Sequence, residues 1–232
     1  MFIEMKNGTK KYGQGDAQVY ALDNAQLFIE KGEICVILGP SGSGKSTLLN
    51  MIGGIDTMDS GELSVDEKTV SGLTSQKLTE YRREEVGFVF QFYNLIQDLT
   101  VLENIQVVSD ISSRPLPTED VLSALGLKAL THRFPSELSG GQQQRTAIAR
   151  AIIKNPKLLL CDELTGALDS KSSKEILQYA QKVNETFGTT ILIITHNEAI
   201  RHMADRVIMI RDGKVVSNGK NEAKIRAEDL VL

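Results

Sequence analysis

The sequence has no tryptophan and is poor in several other residue types. Its 232 residues include two cysteines, three histidines and five prolines, and aromatic residues account for 5%. Two cysteines exclude the framework of several disulfides that stabilises many small secreted proteins. No apolar run approaches the roughly 18 residues of a membrane-spanning helix, and residues 1–11 lack the apolar centre of a signal peptide. We therefore expect a cytosolic protein.

A surplus of positive charge is also missing. The formal net charge is −4, whereas a nucleic-acid surface usually needs a basic patch, so no nucleic-acid partner is expected. The composition is otherwise ordinary for a globular protein, with 41% hydrophobic and 24% charged residues. The length allows one large domain with room for a subdomain. Cys35 and Cys161 each lie in an apolar run, which predicts buried, reduced thiols.

One glycine-rich stretch carries the strongest chemical signal. It fits G-x-x-x-x-G-K-[ST], the phosphate-binding loop, and consists of Gly39, Pro40, Ser41, Gly42, Ser43, Gly44, Lys45, Ser46 and Thr47. The apolar run 34–38 predicts a buried parallel strand before it, and 46–52 predicts a helix after it. Backbone amides and the helix dipole would then form an anion-binding nest. Lys45 can reach the terminal phosphates and Ser46 can hold Mg²⁺. A glycine-rich turn with a chance lysine would leave the flanking strand and helix unexplained.

A second unusual stretch begins at Leu138. Ser139 can cap a helix that runs to about Lys154, but Gly140 and Gly141 then occupy its first turn. Each of these glycines costs about 1 kcal/mol relative to alanine. Such a cost is understandable if an anion approaches the helix start closely. The alternative, a flexible helix start without a ligand, is equally compatible with the spacing.

Carboxylates and a histidine follow two predicted core strands. Asp162 and Glu163 end the apolar run that begins at Leu158. Asp162 fits an acidic residue that holds Mg²⁺ opposite a phosphate loop, and Glu163 can orient and deprotonate a water. The alternative, that this pair caps the next helix, is disfavoured because Asp169 supplies a cap. His196 follows the strand 189–195, at an end where open α/β sheets bind ligands.

Two further residues are weaker candidates. Gln91 ends the predicted strand 86–91, where an amide could contact a ligand or metal. Tyr12 lies in a predicted loop at 10–15, and it could stack on a purine if a nucleotide binds beside Lys45.

The rest of the chain predicts an α/β protein with an N-terminal β part. Strands are expected at 2–5 and 26–29, and a hairpin with an Asp-Gly turn is expected at 207–216. The segment between Gln91 and Leu138 predicts two helices, capped by Thr100 and Thr118. We therefore expect one domain over 1–232, with a core formed by 1–90 and 138–232 and a helical subdomain at 91–137.

These motifs together resemble those of the ATP-binding subunits of ABC transporters. The resemblance rests on six motifs. They are the Walker A motif (Gly39–Thr47), the Q-loop (Gln91), the signature sequence (Leu138–Gln142), the Walker B motif (Leu158–Asp162, with Glu163), the D-loop (Ala167–Asp169) and the H-loop (His196). The sequences of segments 39–50, 87–91 and 165–170 are similar to the corresponding sequences of macrolide exporters of the MacB type and lipoprotein-release systems of the LolD type. The sequence differs at Leu164, where the family usually has proline, and in a shorter helical insertion.

The resemblance implies a role for each motif. Tyr12 would stack on adenine, the Walker A residues would bind the phosphates, and Ser46, Gln91 and Asp162 would hold Mg²⁺. Glu163 would be the general base and His196 would contact the γ-phosphate. Ser139, Gly140, Gly141 and Gln142 would cover the nucleotide bound by a second copy, which implies an ATP-dependent head-to-tail dimer.

The resemblance also implies a P-loop NTPase fold of the ABC ATPase type, with an antiparallel β subdomain and an inserted helical subdomain. The implied function is ATP hydrolysis that drives a separate membrane permease, docked near the helical subdomain on the inner face of the cell membrane. An alternative is a soluble ABC ATPase that acts on ribosomes or DNA, but those members usually carry two cassettes or long coiled-coil or zinc insertions. A P-loop kinase would leave the signature stretch and Glu163 unexplained.

Overall fold

The computed structural model describes residues 1–232, apart from the side chain of Asp16. Its strands are β1 Ile3–Tyr12, β2 Val19–Ile29, β3 Ile34–Leu38, β4 Ser60–Val65, β5 Lys68–Thr69, β6 Val86–Val89, β7 Leu158–Asp162, β8 Thr190–Ile194, β9 Arg206–Arg211 and β10 Lys214–Lys220. Its α-helices are α1 Lys45–Ile52, α2 Ser75–Glu84, α3 Val101–Ser109, α4 Thr118–Ala124, α5 Gly140–Ile152 and α6 Ser170–Phe187. Short 3-10 helices lie at Gly15–Ala17, Lys128–Leu130, Pro135–Glu137, Glu198–Met203 and Ala227–Asp229.

The larger sheet positions the predicted site residues. Its strand order is β10-β9-β3-β8-β7-β6, and only the β9–β10 pair is antiparallel. All residues of β3 and β8 are buried, as expected for parallel strands covered on both faces. Because these strands are parallel, the carboxyl ends of β3, β6, β7 and β8 meet at one edge. The phosphate loop, Gln91, Asp162 and His196 follow these ends.

Two apolar clusters cover the two faces of this sheet. Cys161 belongs to the cluster that also contains residues of α5 and α6, whereas Cys35 belongs to the cluster that contains residues of α1. Both thiols are free and buried, and burial raises the pKa of each. The prediction of buried, reduced cysteines is confirmed, and their positions on opposite faces keep them apart.

The N-terminal strands are longer than the sequence predicted. β1 and β2 form an antiparallel sheet with β4 and β5, in the order β2-β1-β4-β5. The β1–β2 register shifts between Met5 and Gly8 and again between Gly8 and Lys11. Bulges of this kind break the alternation of apolar and polar residues, so the second half of each strand resembles a loop in sequence. Tyr12 is therefore the last residue of β1, and the predicted loop at 10–15 is wrong for residues 10–12 and begins at Gly13 instead.

The segment between β6 and α5 is helical, as predicted. Thr100 caps α3 in a capping box with Glu103, but Pro117 rather than Thr118 is the N-cap of α4. Val101 and Val121 are fully buried in the same cluster as residues of α5 and α6. The fold class, an α/β core with an antiparallel β part and inserted helices, is confirmed; the boundaries of the helical subdomain at 91–137 stay a prediction.

The chain after β10 folds back over the core, which the sequence did not predict. The Asn221 side-chain amide donates to the carbonyls of Arg201, His202 and Ala204. The Ala227 amide donates to the Gln181 side-chain oxygen at 2.9 Å. This tail is therefore attached to the segment that follows His196.

One buried ion pair ties the start of β3 to β9. Arg206 is 1% exposed, and its guanidinium donates to both carboxylate oxygens of Glu33 at 2.7 and 3.0 Å. We expect Arg206→Ala to lower the free energy of unfolding by about 3–5 kcal/mol, because it leaves the Glu33 carboxylate near the sheet without its partner. Urea unfolding followed by circular dichroism measures this loss. The matched control is Lys214→Ala, which breaks the exposed pair with Asp23 and should cost under about 1 kcal/mol; equal losses in both variants would contradict the prediction.

Candidate nucleotide-binding site

The phosphate-binding loop joins β3 to α1 in the predicted way. Gly44 is the N-cap of α1 and has a left-handed backbone with φ of 102°. A Cβ at Gly44 would lie 2.2 Å from the carbonyl oxygen of Ala21 in β2. Only glycine fits this close approach. The loop is therefore packed closely against β2, and Ser46 and Thr47 at the start of α1 line a cleft at the sheet edge.

The Lys45 ammonium lies inside this loop. It donates to the carbonyl oxygens of Gly39 and Pro40, each at 2.8 Å, and Lys45 is 8% exposed. Both acceptors are neutral carbonyls. A phosphate group would offer charged acceptors, which form the stronger hydrogen bonds.

The loop forms one wall of a cleft of about 460 Å³. The cleft is lined by Tyr12, Ala21, Ser41, Gly42, Gly44, Lys45, Ser46, Thr47, Gln91, Asp162, Glu163, Ile194 and His196. The structure thus brings together most of the residues that the sequence singled out. Of the remaining loop residues, Gly39 and Pro40 hold Lys45, and Ser43 is buried.

Two carboxylates lie side by side opposite the loop. Asp162 ends β7, and Glu163 follows it with a left-handed φ of 50° and an amide bonded to the Ile194 carbonyl at 3.0 Å. Burial, and then the charge of Glu163, raise the pKa of Asp162, although the Ser46 hydroxyl and the Lys45 ammonium act to lower it. A cation at this position would favour the ionised form of Asp162.

Glu163 is held by the histidine at the end of β8. His196 Nδ1 lies 3.1 Å from Glu163 Oε1. Glu163 Oε2 is buried and has no hydrogen-bond partner among the residues that the structure describes. One carboxylate oxygen of Glu163 therefore contacts His196, whereas the other is buried without a partner.

The donor set opposite the loop suits Mg²⁺. The part of the chain that the structure describes has no group of three or more His, Cys, Asp or Glu side chains arranged to hold a metal ion. The cleft instead offers oxygens from the Ser46 hydroxyl, the Gln91 amide and the Asp162 carboxylate. Mg²⁺ in nucleotide sites is usually bound by one or two carboxylates, substrate phosphates and water. The residues present fit that pattern.

The signature stretch lies elsewhere. Ser139 caps α5 in a capping box with Gln142, as the sequence predicted. A Cβ at Gly140 would lie 3.0 Å from Tyr93 Oη and 3.1 Å from a methyl group of Leu168, whereas a Cβ at Gly141 would meet only ordinary contacts with Ser172. None of residues 139–142 is among those lining the cleft described above. Within one chain, the anion-ready start of α5 is separate from the phosphate loop.

Tyr12 has a partner that the sequence did not reveal. Its hydroxyl donates to Asp56 Oδ2 at 2.7 Å. Burial and this bond raise the pKa of the Tyr12 hydroxyl, which stays protonated. Asp56 lies in the loop after α1 and carries no local motif, so only the spatial proximity identifies it.

The unusual Leu164 packs inward. Its side chain is 2% exposed and belongs to the cluster on the α5 and α6 face of the sheet. The position where relatives usually have proline is therefore part of the apolar core in this chain, and Glu163 still lies at the cleft.

Comparisons with known proteins agree with this geometry. A family model described as "ABC transporter" matches residues 22–166, which is more than half of the chain. The uncharacterised ABC transporter ATP-binding protein MJ0796 of Methanocaldococcus jannaschii is 43% identical, and the match covers 98% of this chain and 99% of that protein. The macrolide export ATP-binding/permease protein MacB of Hyphomonas neptunium is 43% identical over 95% of this chain, but this chain spans 35% of that protein.

A solved structure is similar over nearly the whole fold. The dimeric, post-hydrolysis ATP-binding cassette MJ0796 bound to ADP and phosphate has a TM-score of 0.83 and 40% identity, covering 94% of this chain and 98% of that one. The family match, the relatives and the convergence of the predicted residues at one cleft lead to the same result. This chain belongs to the ABC transporter ATP-binding family and is an ATP hydrolase.

Proposed function

We propose that this chain binds MgATP in the cleft, hydrolyses it as a head-to-tail dimer and drives a separate membrane permease. The observation that carries the proposal is the meeting of Lys45, Gln91, Asp162, Glu163 and His196 in one cleft. These residues lie at or after the carboxyl ends of four parallel strands, and they supply the charges and the base that phosphoryl transfer to water requires.

The chain's own residues divide the work of binding. The loop amides and Lys45 hold the phosphates, and Tyr12 offers its ring to the adenine. Ser46, Gln91 and Asp162 hold Mg²⁺, which when bound neutralises charge on the phosphates. Asp162 must be ionised for this role, and the ion counteracts the effect of burial on its pKa.

Glu163 and His196 act on the attacking water. His196 Nδ1 lies 3.1 Å from Glu163 Oε1 and orients the carboxylate, which accepts a proton from the attacking water. His196 is 73% exposed in its side chain, so it can also reach a γ-phosphate above the carboxylate. The histidine thus orients the base and contacts the substrate.

A second copy completes each site. Ser139–Gln142 lies outside the cleft of its own chain, although the capped start of α5 is suited to an anion. A head-to-tail arrangement places this stretch over the nucleotide of the partner. The dimeric relative with ADP and phosphate supports this arrangement.

We propose that ATP hydrolysis by this chain drives a membrane permease. MacB relatives are named as joined ATP-binding and permease proteins, and this chain spans 34–35% of their length. Within the described residues, no helix is long and apolar enough to span a bilayer. We infer a MacB-like or LolD-like exporter in which this chain acts with a membrane permease at the cytoplasmic face of the membrane. The transporter relatives favour this function over a ribosomal or nucleic-acid role.

The permease is proposed to dock beside the helical segment. Phe92 is 78% exposed and directly follows Gln91, which lines the cleft. Ile96 is 43% exposed, and its backbone bonds to Asn104 of α3 join it to the helices. A partner that covers Phe92 would lie one residue from the nucleotide site.

The docking proposal can be tested with a photo-crosslinking residue at position 92 in native membranes. We expect this residue to crosslink to an integral membrane protein, and we expect the yield of the crosslinked product to change when MgATP is added. A crosslinker at Val216 is the control, because Val216 is 57% exposed on β10, the sheet edge opposite β6. Equal capture from both positions would contradict docking at the helical segment.

Lys45→Ala should weaken binding of MgATP by about 10- to 100-fold, the value of one or more charge-assisted hydrogen bonds. The nest of amides remains, but the charged donor is lost. Isothermal titration calorimetry with MgATP measures the effect, and Lys220→Ala at an exposed position of β10 is the control. An affinity within twofold of the parent would contradict the proposed role of Lys45.

A further inference from the structure

We propose that Asp56 is a positioning residue for the nucleotide base, because it fixes the ring of Tyr12 at the wall of the cleft. The inference rests on the proposed function, in which Tyr12 stacks on adenine. Asp56 does not line the cleft, so it acts through Tyr12.

The contacts of Asp56 all point to this role. Its Oδ2 accepts the Tyr12 hydroxyl at 2.7 Å, and its Oδ1 accepts the Lys10 ammonium at 2.6 Å and its neighbour Thr57's amide at 2.7 Å. Both oxygens therefore accept hydrogen bonds, either from side chains at the end of strand β1 or from the backbone of the loop that carries Asp56. The carboxylate works as a fixed anchor for β1.

Lys10 makes the anchor rigid. Lys10 is 8% exposed, and its ammonium also donates to the Thr57 carbonyl at 2.8 Å. The same ammonium lies 5.2 Å from the centre of the Tyr12 ring. A cation beside the ring and a carboxylate at its hydroxyl restrict the ring from two sides. The pKa of Asp56 is lowered by its bonds to Lys10 and Tyr12 despite burial, so the anchor stays ionised at neutral pH.

The anchor is itself attached to the helix that follows the phosphate loop. The amides of Ile55 and Asp56 both bond to the Asn50 carbonyl in α1, at 2.8 and 3.2 Å. The position of the ring is thereby linked to α1, which begins at Lys45. This link holds the base-binding ring at a set distance from the phosphate-binding amides.

Fixing the ring before the nucleotide arrives should improve affinity. Tyr12 is 45% exposed at the end of a bulged strand, where an unanchored side chain would sample several rotamers. Binding a base would then cost the entropy of ordering that side chain. Asp56 removes this cost, and it should do so only for ligands that carry a base.

The experiment compares the affinities of MgATP and magnesium tripolyphosphate, which has the phosphates without the base. Asp56→Ala and Tyr12→Phe should each raise the Kd of ATP about threefold, the effect of one hydrogen bond. Tyr12→Ala should raise it about tenfold through lost stacking. Tripolyphosphate should bind all three variants as it binds the parent. The double variant Asp56→Ala with Tyr12→Phe should be no weaker than Asp56→Ala alone, because both changes break the same bond.

Two further variants separate positioning from general damage to the fold. Asp56→Asn keeps an acceptor for the Tyr12 hydroxyl and should recover most of the affinity for ATP. Asp66→Ala is the matched control, since it breaks a carboxylate–lysine pair with Lys157 that is away from the cleft residues. If Asp56→Ala does not fold, Tyr12→Phe still removes the bond while both charged partners remain.

The outcomes distinguish the two proposals. If Tyr12→Ala weakens ATP but Asp56→Ala and Tyr12→Phe do not, the positioning role of Asp56 is overturned and the stacking role stands. If Tyr12→Ala leaves the ratio of the two affinities unchanged, both roles are overturned. A loss of tripolyphosphate affinity equal to the loss for ATP would assign Asp56 to the fold and overturn positioning.

Discussion

Replacing Glu163 with glutamine should reduce ATP hydrolysis about 10²- to 10⁴-fold while MgATP still binds. The amide keeps the shape of the side chain but has no oxygen that can accept a proton from water, and loss of a general base usually costs this much. In the structure, Glu163 lines the same cleft as Lys45 and Ser46 of the phosphate loop. Binding should persist because Lys45 and the loop amides are unchanged.

Phosphate release under saturating MgATP measures the rate, and calorimetry measures the affinity. The matched control is Glu175→Gln, which makes the same chemical change at an exposed position of α6. It should hydrolyse ATP at the parental rate. If Glu163→Gln also turned over near that rate, Glu163 would not be the base, and its bond to His196 would have a structural role alone.

The second large effect concerns the separated signature stretch. We expect Ser139→Arg to reduce hydrolysis about 10²- to 10³-fold, as removal of donors from a transition-state site does, with MgATP affinity unchanged. The reason is geometric: Ser139 is exposed and absent from the cleft of its own chain, so it can affect only the nucleotide of another copy. Ser139 also caps α5, and losing that cap costs about 1 kcal/mol, which is too little to unfold the domain.

Ser217→Arg is the control for the added charge. Ser217 is exposed on β10, which lies at the edge of the larger sheet opposite β6. The variant should keep full activity.

The parent's rate of ATP hydrolysis per subunit should rise with protein concentration, since ATP-bridged association follows mass action. Glu163→Gln with MgATP should form a stable dimer in analytical ultracentrifugation.

Mixing two inactive proteins tests the same idea in trans. In a mixed dimer of Lys45→Ala and Ser139→Arg, one site has an intact lysine and an intact signature stretch. Activity should return if the two sites can act independently. A rate per subunit that stays flat down to nanomolar protein, from a species that remains monomeric with MgATP, would falsify the dimer model.

Much of the site could be predicted because its signals are local. The phosphate loop is one continuous stretch whose flanking strand and helix follow from apolar runs beside it. The caps at Thr100, Ser139 and Asp169 need only a side chain and the next helical turn. Asp162 and His196 could be placed because parallel strands bring their carboxyl ends to one edge. The residue types and their order were sufficient for these features.

Other features depend on residues far apart in the chain. Lys10 and Tyr12 meet Asp56 across more than forty positions, and Arg206 meets Glu33 at a separation of 173. Strand bulges hid the lengths of β1 and β2, since they interrupt the alternation on which strand prediction depends. The position of the tail after β10 is fixed by hydrogen bonds to α6 and to the segment after His196.

The sequence by itself thus predicted which side chains could bind phosphate, accept a proton or cap a helix, because those properties belong to the residues and their near neighbours. The tertiary structure alone decided which of them share a cleft. It placed Glu163 among the residues that line the cleft and left Ser139 outside it, because β7 is a strand of the sheet whereas α5 packs on one face of it. The signature stretch already implied a second copy, and this separation within one chain is the geometric reason to expect two chains at each site.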